Sequence, residues 1–434
     1  MKKLGKLFLF SFLAVFTFAC KDEDENDSDN EPVVKDEAAL SGSITSNTTL
    51  NANTVYTLNG FVYVEDGATL TIEPGTLIKG GPKASKGTLI IKRGGKIMAE
   101  GTKENPIVFT SSQAKGSRAP GDWGGIIITG KAPNNQATEP IVEGGPDARY
   151  GGDEADDNSG VFKYVRIEFA GVALEPDKEI NGLTMGSVGS GTTIDYVQVS
   201  YGGDDAFEWF GGTVNPNHLI AYKTTDDMFD TDFGFSGKVQ YVLGVSDPNL
   251  SDLAGASNGF ESDNDANGTT NTPLTTAAFS NATIIGPGTP GSGQKFGQGA
   301  HLKKGTSLSI YNSVITGWDK AITFDGNVVE EYATNNNIKI QNTVVNGTIG
   351  KASSSTTAFD PTAWFNTAAF NNMIATQAEL GLNTAAPFMP TTGSILLSGG
   401  ANVTGFENTN FRGAFSTTNW AESWTNWDPQ NTDY

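Results

Sequence analysis

The chain has 434 residues, 53 glycines, one cysteine and a formal net charge of −21. Such a charge excludes nucleic acid as a natural partner and disfavours anionic lipid headgroups, because like charges repel, whereas it favours divalent cations. A single cysteine excludes a disulfide within the chain. The length suits two or three ordinary domains or one elongated repeat domain.

The N-terminus has the pattern of a secretory signal. Three lysines among the first six residues precede an apolar run at residues 7–18, which is too short to span a bilayer. We therefore predict a signal peptide at residues 1–19, with Cys20 directly after it. This arrangement resembles the signal of bacterial lipoproteins, in which the cysteine is lipidated and becomes the mature N-terminus. The alternative is an ordinary cleaved signal followed by an incidental cysteine.

Residues 20–40 are acidic and nearly free of aromatic side chains, so this segment cannot bury a core and is predicted to be a flexible tether. It begins with Lys21, Asp22 and Glu23, which resemble the export tag of Bacteroidetes-type surface lipoproteins. The resemblance implies a lipid anchor in the outer membrane, on the cell-surface side. It also implies an outer-membrane TonB-dependent transporter as a partner.

Short β-type runs separated by glycine, asparagine and aspartate fill residues 41–350, with almost no helical periodicity. Similar phrases recur: DDAFE at residues 204–208 is echoed by DDMFD at 226–230. Periods this short cannot bury their apolar positions alone and must stack on one another. The pattern resembles the right-handed parallel β-helix of pectate-lyase-like proteins, so the predicted fold class is all-β. An antiparallel sandwich is the alternative, but it would show hairpin signals and a shorter turn spacing.

Coils of a parallel β-helix lie about 4.8 Å apart, so equivalent residues of successive periods form columns. The predicted interior column contains Leu183, Phe207, Phe229, Phe260, His301 and Ile322. In this alignment His301 is a buried structural residue. A polar column at a turn contains Asn181, Asp205, Asp227 and Asn258. Their side chains are expected to satisfy backbone amides of the turn.

The repeat ends near residue 350, and residues 351–434 are predicted to form a partly helical C-terminal cap. Asp360 as N-cap and Pro361 at the first helical position predict a helix there. A cap would cover the strand edges that the end of a β-helix exposes. Three tryptophans either pack this cap or form a carbohydrate-binding patch, namely Trp420, Trp424 and Trp427.

Two patterns of acidic residues predict a calcium site. Carboxylates on successive coils would lie about 5 Å apart and repel by roughly 1 kcal/mol in water, and by more in a drier setting. Calcium takes six to eight oxygen ligands and would relieve that repulsion. The run of residues 263–268, DNDANG, also matches the opening of a calcium loop, without the glutamate that completes an EF-hand. The predicted ligands are Glu208, Asp230, Glu261, Asp263, Asp265 and Asn267; the alternative for the loop is a solvated turn.

Neighbouring acids also raise the question of catalysis. Polygalacturonase-type hydrolases place aspartates on adjacent coils, which makes Asp205 and Asp227 the weak catalytic candidates. The motifs that accompany those aspartates in that family do not occur in this chain. A lyase needs a base beside its calcium ligands, and no family motif surrounds the nearby lysines Lys223, Lys238, Lys303 and Lys304.

The predicted function is therefore a non-enzymatic ligand-binding or scaffold protein that captures glycan or another nutrient. Trp209 and Phe210, next to the acids, are the candidate ligand-binding residues, because aromatic rings stack on sugars. Trp123 and Trp318 belong to the same set of aromatic candidates, and burial is the alternative for each. A polysaccharide lyase or glycoside hydrolase, and a structural adhesion protein, are the alternative functions.

Overall fold

The computed structural model describes residues 35–143, 146–175 and 178–434, and for residues 174, 175, 178 and 179 it describes only the backbone. The predicted signal peptide, the lipidation site Cys20 and the tag at residues 21–23 lie outside this part of the chain. Within it, no helix combines the length and the apolar character needed to cross a membrane.

Short strands dominate the described residues, with three short α-helices and four 3₁₀ turns. The strands are β1 Asp36–Ile44, β2 Thr48–Leu50, β3 Thr54–Val64, β4 Thr69–Ile72, β5 Leu77–Gly80, β6 Thr88–Ile91, β7 Lys96–Glu100, β8 Ile107–Thr110, β9 Ile126–Thr129, β10 Gly160–Glu168, β11 Ala173–Glu175, β12 Lys178–Glu179, β13 Leu183–Gly186, β14 Thr193–Ser200, β15 Phe207–Phe210, β16 Asn217–Tyr222, β17 Phe229–Asp232, β18 Lys238–Val245, β19 Phe260–Ser262, β20 Ala278–Ile285, β21 Ala300–Leu302, β22 Ser309–Tyr311, β23 Val314–Thr316, β24 Lys320–Phe324, β25 Ile340–Gln341, β26 Val344–Val345, β27 Thr348–Lys351 and β28 Met373–Ile374. The helices are α1 Asn327–Thr334, α2 Pro361–Phe365 and α3 Gln377–Leu380.

These strands form a parallel β-helix, as the repeat pattern predicted. Of the described strands, all except β11 and β12 belong to one hydrogen-bonded sheet, and the pairings between successive coils are parallel. A first ladder runs through β9, β13, β15, β17, β19, β21, β24 and β27. A second ladder runs through β10, β14, β16, β18 and β20.

The interior of the first ladder contains the predicted phenylalanine column. Phe207 pairs with Phe229 and Phe229 with Phe260, and each pair of ring centroids lies 5.6 Å apart. All three side chains are buried. Because each coil offers only a few apolar side chains, the core becomes continuous only when coils stack.

His301 does not belong to this column, contrary to the prediction. Phe260 pairs with Ala300, and Glu261 pairs with His301. Side chains of a strand alternate between faces, so a shift of one residue moves His301 from the core to the outer face. Ala300 fills the interior position instead and is fully buried.

The second ladder has a left-handed residue at the same place in each coil, inside the strands from β10 to β20, and sequence reasoning missed this column. The column consists of Tyr164, Tyr196, His218, Tyr241, Asn281, Asn312, Asn342 and Asn371. Asparagine tolerates this conformation, whereas an aromatic residue pays about 1 kcal/mol or more for it. The aromatic members offset that cost by stacking, with the rings of Tyr196 and His218 4.1 Å apart.

Both predicted boundaries of the β-helix shift outward. β1 begins at Asp36 and pairs with β3, so the last residues of the predicted tether at 20–40 form a strand. At the other end β28 pairs with β26, which extends the parallel pairing beyond residue 350 into the predicted cap.

Part of the segment 351–434 behaves as the predicted cap. The side chain of Asp360 accepts a hydrogen bond from the N–H of Ala363 at 3.0 Å, so it caps α2 as expected. Phe359 and Trp364 pack on Phe324 of β24, with ring centroids 5.3 and 5.4 Å from it. These contacts cover the last coils of the first ladder.

The C-terminal segment, residues 399–434, instead runs back along the side of the second ladder toward earlier coils. Asn281 donates to the carbonyl of Phe411 at 3.2 Å, and Gln198 donates to that of Asn426 at 2.8 Å. Its final hydroxyl, Tyr434 Oη, lies 2.7 Å from Glu168 Oε1. Most of this segment therefore packs laterally and does not cover an end.

The three C-terminal tryptophans belong to this lateral packing. Trp424 is fully buried, and Trp420 and Trp427 are half-buried against the cluster around Tyr222. Trp420 also lies edge-on to His218, with centroids 5.0 Å apart. Packing of the segment, one of the two predicted roles, accounts for all three rings.

Candidate functional site

Outward-facing positions of the first ladder form a charged column. By register, Glu208 lies beside Asp230, Asp230 beside Glu261, and Glu261 beside His301. These residues directly follow the buried phenylalanines or Ala300, so the alternation of a strand turns them to the opposite face. The column thus changes along the helix axis from acidic to mixed charge.

A second polar column lies at the adjacent turn, as predicted. Asp205 Oδ1 accepts the N–H of Asp227 at 2.9 Å, and Asp227 Oδ1 accepts the N–H of Asn258 at 2.5 Å. Asn258 Oδ1 in turn accepts the N–H of Gln298 at 2.8 Å. Each side chain thereby satisfies a turn amide of the next coil, which gives the two catalytic candidates a structural role.

The two columns bring carboxylates together in three groups within the described residues. In each group, one carboxylate oxygen from every member lies within 4.8 Å of the others. The groups are Asp204, Asp205 and Asp226; Asp205, Glu208 and Asp230; and Asp227, Asp230 and Glu261. The second group, which we call the acidic cluster, joins two predicted metal ligands to one predicted catalytic candidate.

The acidic cluster carries uncompensated charge. Burial, followed by the charges of neighbouring acids, raises the pKa of Asp205, Glu208 and Asp230 well above the usual range, and the same holds for Asp227. Asn181 donates a hydrogen bond to Glu208. Asp230 Oδ1 is buried without a hydrogen-bond partner. At neutral pH such a cluster must take up protons or a cation.

Glu261, which belongs to the third group with Asp227 and Asp230, already has a counter-ion. Burial alone would raise its pKa, but hydrogen bonding from His301 and the charge of Lys303 lower the pKa of Glu261 to about 2. Lys303 Nζ contacts Glu261 Oε1, and Asn258 donates to Glu261 Oε2 at 2.9 Å. The unbalanced negative charge is therefore concentrated at the acidic cluster.

The predicted calcium loop does not contribute to these groups. Asp265 Oδ1 accepts the backbone N–H groups of Asn267 at 2.9 Å and Thr269 at 3.0 Å, so Asp265 closes its own turn. Asp263 Oδ2 pairs with Lys304 Nζ at 2.8 Å. Of the six predicted ligands, Glu208 and Glu261 each belong to one of these groups and Asp230 to both, whereas Asp263, Asp265 and Asn267 belong to none. Asp263 and Asp265 are buried and Asn267 is exposed, so this turn is only partly solvated.

The two predicted ligand-binding aromatics, Trp209 and Phe210, are not on the surface. Trp209 lies in the core with its ring 5.3 Å from that of Phe235. Phe210 is buried between Tyr150 and Phe233, at 6.0 and 5.6 Å. Neither ring is accessible to a sugar from outside, and two further aromatic candidates are buried as well, Trp123 and Trp318.

The lysines divide between the two ladders. Lys223 pairs with Asp247 at 3.2 Å, and Lys238 begins β18 of the second ladder, so neither compensates the acidic cluster. Lys303 and Lys304 lie on the site face, through their contacts with Glu261 and Asp263. The charge of Glu261 helps to raise the pKa of Lys303 although burial opposes it, so this lysine is held protonated.

A groove of about 430 Å³ continues the site face beyond the acids. Lys320 and Lys351 line it together with His301 and Asp325. His301 Nε2 lies 3.1 Å from Asp325 Oδ2, and His301 Nδ1 lies 3.7 Å from Glu261 Oε2. The groove therefore offers the positive charges of Lys320 and Lys351, which lie three and four coils beyond Asp230.

The acidic cluster fits a hard cation. Its donors are all carboxylate oxygens, which suit calcium or magnesium, whereas zinc sites in proteins rely mainly on nitrogen and sulfur ligands. The unpartnered oxygen of Asp230 is a ready ligand atom. Asp205, Glu208 and Asp230 are the residues that would hold such an ion.

Comparison with known proteins agrees with this fold. The chain belongs to the pectate-lyase-like β-helix domain family, whose model matches residues 42–425. Among solved structures, the crystal structure of pectate lyase Pel9A is similar at 14% sequence identity and a TM-score of 0.42, covering 81% of this chain and 88% of that one. No curated protein matches the chain. The family match confirms the predicted resemblance to pectate-lyase-like β-helix proteins.

Proposed function

We propose that this protein is a lipid-anchored, cell-surface β-helix that captures an acidic polysaccharide through calcium and does not cleave it. The observation that carries the proposal is the acidic cluster of Asp205, Glu208 and Asp230, whose carboxylate oxygens lie within 4.8 Å of one another. A calcium ion takes six to eight ligands, so one held there would retain open positions for a carboxylate of the polysaccharide. With a net charge of −21, the chain would otherwise repel a polyanion.

The neighbouring groove supports the same class of ligand. Lys320 and Lys351 line it, so a polyanionic chain extending along the helix axis from the cluster would meet two ammonium groups. The predicted ligand-binding aromatics Trp209 and Phe210 cannot stack on such a chain, because both are buried. Recognition on this face is therefore expected to depend on charge and calcium more than on ring stacking.

The state of Lys303 supports binding without cleavage. A lyase must remove a proton from the sugar, and a base for that step needs a pKa near or below the working pH. Contact with Glu261 instead raises the pKa of Lys303, although burial opposes it. Lys303 is thus a counter-ion in this arrangement.

The membrane part of the proposal is supported by the N-terminal sequence alone. The signal at residues 1–19, Cys20 and the tag at residues 21–23 resemble those of surface lipoproteins. A glycan captured at the surface would be passed to an outer-membrane TonB-dependent transporter. Metabolic labelling with an alkyne fatty acid in the native host should label the wild type and leave Cys20→Ser unlabelled.

The proposed binding is tested by two titrations on the chain without its signal peptide. Calorimetry with calcium chloride after chelator treatment should show saturable binding, weakened at least about tenfold in Glu208→Gln because a ligand charge is removed. A polygalacturonate affinity gel should retain the wild type in calcium and release it in chelator. Asp153→Asn, an exposed carboxylate outside the cluster, is the matched control. Calcium affinity unchanged by Glu208→Gln would contradict the assignment of the cluster.

A polysaccharide lyase or hydrolase is the second candidate, favoured by the outward position of His301 beside Asp325. Their 3.1 Å contact resembles the pairing that orients a histidine base. Incubation with polygalacturonate would then generate unsaturated or reducing ends, and His301→Ala would abolish them while leaving calcium binding intact. Absence of product with retention on the gel supports capture, and absence of both favours a structural adhesion protein.

A further inference from the structure

The first strand leaves the N-terminal end of the β-helix open. Among the described strands, β3 is the one that pairs with β1. The residues of β1 are exposed except Leu40 and Ile44, which are partly buried and pack against the core. One edge of this nine-residue strand therefore presents backbone groups to solvent, and the core beneath it is incompletely covered. Such an edge is a template for pairing with a further strand.

The backbone groups at the open edge belong to alternate residues of β1. Asp36 donates its N–H to the carbonyl of Asn53 at 3.1 Å. At the other end of the strand, the carbonyl of Ile44 accepts the N–H of Glu65 at 3.0 Å. Successive residues of a strand direct these groups to opposite sides, so the even-numbered residues of β1 face β3. The residues that face the open edge are Glu37, Ala39, Ser41 and Ser43.

We propose that two copies of this chain associate through their β1 strands, antiparallel about a two-fold axis at Leu40. This pairing goes beyond the function proposed above and does not depend on it. About this axis, Ala39 of one copy lies opposite Ser41 of the other, and Glu37 lies opposite Ser43 in the same way. Each residue of the open edge thus meets another residue of the open edge, as an antiparallel ladder requires. Leu40 meets Leu40, so the core becomes continuous across the two copies.

The charges of β1 favour a second copy as the occupant of this edge. Asp36 and Glu37 lie at one end of the strand, and residues 38–44 carry no charge. Antiparallel pairing places Asp36 opposite Ile44 and keeps the acids of the two copies at opposite ends of the interface. Like charges directly opposite one another would destabilise a strand pair, and this register has none.

Two other occupants fit the edge less well. The acidic run at residues 22–31, laid along β1, would bring like charges beside the two acids of that strand. The far end of the β-helix offers β28, with exposed Met373 and Ile374. β28 has two residues and β1 has nine, so head-to-tail pairing would leave most of β1 open. At the same far end α2 covers β27, where Thr362 donates to the carbonyl of Ile349 at 3.2 Å.

Sedimentation equilibrium of the whole mature chain, at about 0.15 M salt and with a reductant, measures the association. The salt screens repulsion between two acidic chains, and the reductant prevents a disulfide between two copies of Cys20. The wild type should form a dimer. Ala39→Pro removes an N–H at the open edge and none that is donated to β3, so it should keep the wild-type urea unfolding curve and dimerise at least about tenfold more weakly.

Ile374→Lys is the control for head-to-tail pairing and should leave the dimer unchanged. A chain that stays monomeric at its highest soluble concentration overturns the proposal, and so does a dimer that Ala39→Pro leaves intact. Loss of the dimer in Ile374→Lys also overturns it, because the far end of the β-helix would then form the contact.

Cysteine variants in a Cys20→Ser background test the register. Leu40→Cys places two thiols at the axis, where the Cα atoms of the opposed pair would lie about 4.5 Å apart, within the range of a disulfide. Glu37→Cys is the matched control, because the two copies of that residue would lie about 20 Å apart along the strands. Oxidised glutathione should link Leu40→Cys into a covalent dimer at least about tenfold faster than Glu37→Cys. Equal rates would refute this register.

Discussion

Replacing Asp232 by asparagine tests whether the crowded acids of the site face destabilise the fold at neutral pH. Asp232 ends β17, and its Oδ1 accepts the N–H of Phe233 at 2.6 Å, a hydrogen bond that asparagine can keep. Burial and then the charge of Asp263 raise the pKa of Asp232 from 3.8 to about 7. The native state therefore binds the proton more tightly than the unfolded state does.

The sign and size of the effect follow from that difference. Because the native pKa is the higher one, stability falls as the pH rises from the unfolded pKa near 4 to the native pKa near 7. At 1.36 kcal/mol per pKa unit, the full cost above pH 7 is about 4 kcal/mol, of which about 3 kcal/mol develops between pH 5 and pH 8. Asp232→Asn removes this contribution at every pH.

Urea unfolding followed by tryptophan fluorescence, in chelator at about pH 5 and about pH 8, measures the difference. The variant should gain roughly 2 to 3 kcal/mol of unfolding free energy relative to wild type between the two pH values. Asp153→Asn should follow wild type at both. Parallel pH profiles for Asp232→Asn and wild type would refute the argument that Asp232 is held protonated by its surroundings.

Three substitutions test the packing, each by urea unfolding. Phe229→Ala empties a fully buried place in the interior column and should cost about 3–5 kcal/mol; a cost near 1 kcal/mol would contradict the stacked core. Tyr434→Phe removes the hydroxyl that donates to the buried carboxyl of Glu168 and should cost about 1–3 kcal/mol of unfolding free energy. Amide hydrogen exchange in the C-terminal segment should become faster; unchanged exchange would show that this hydrogen bond does not hold the segment in place. Asn258→Ala frees the N–H of Gln298 and removes the donor to Glu261, so it should cost about 1–3 kcal/mol; unchanged stability would contradict the structural role of the turn column.

Asp205 has two roles that a suitable substitution can separate. Its Oδ1 atom accepts the amide of the next coil, and the same carboxylate belongs to the acidic cluster. Asp205→Ala would remove both contributions, so a loss of ligand binding would be ambiguous. Asp205→Asn keeps an acceptor for the amide and removes the charge, which makes it the better variant for testing the cluster.

The register of the β-helix determines which residues lie on the acidic face. Residues that follow each buried phenylalanine must point outward, and the chain places an acid there in three successive coils, at Glu208, Asp230 and Glu261. The next coil places His301 at that position and Lys303 two residues later. A single sheet face thereby combines an uncompensated acidic region with a compensated one.

The predicted calcium loop shows why a local motif is weaker evidence than a column. The spacing of Asp263, Asp265 and Asn267 permits cation binding, but the same side chains also cap a turn or pair with lysine. In the structure Asp265 is used by backbone amides and Asp263 by Lys304. Hydrogen bonds occupy both carboxylate oxygens of Asp265, and Lys303 and Lys304 contact Asp263 Oδ2, whereas Asp263 Oδ1 is buried without a hydrogen-bond partner.

The repeat of small, polar and apolar residues was sufficient to predict the parallel coils, the phenylalanine column and the turn ladder, because these depend on equal positions in successive periods. Tertiary structure decided the rest. A long connection separates β19, which begins with Phe260, from β21, and no local pattern sets the register between these two strands. The observed register differs by one residue from the predicted one, so His301 lies on the outer face beside Glu261. The path of residues 399–434 along the second ladder likewise depends on contacts with distant coils, such as that of Tyr434 with Glu168, which no local spacing encodes.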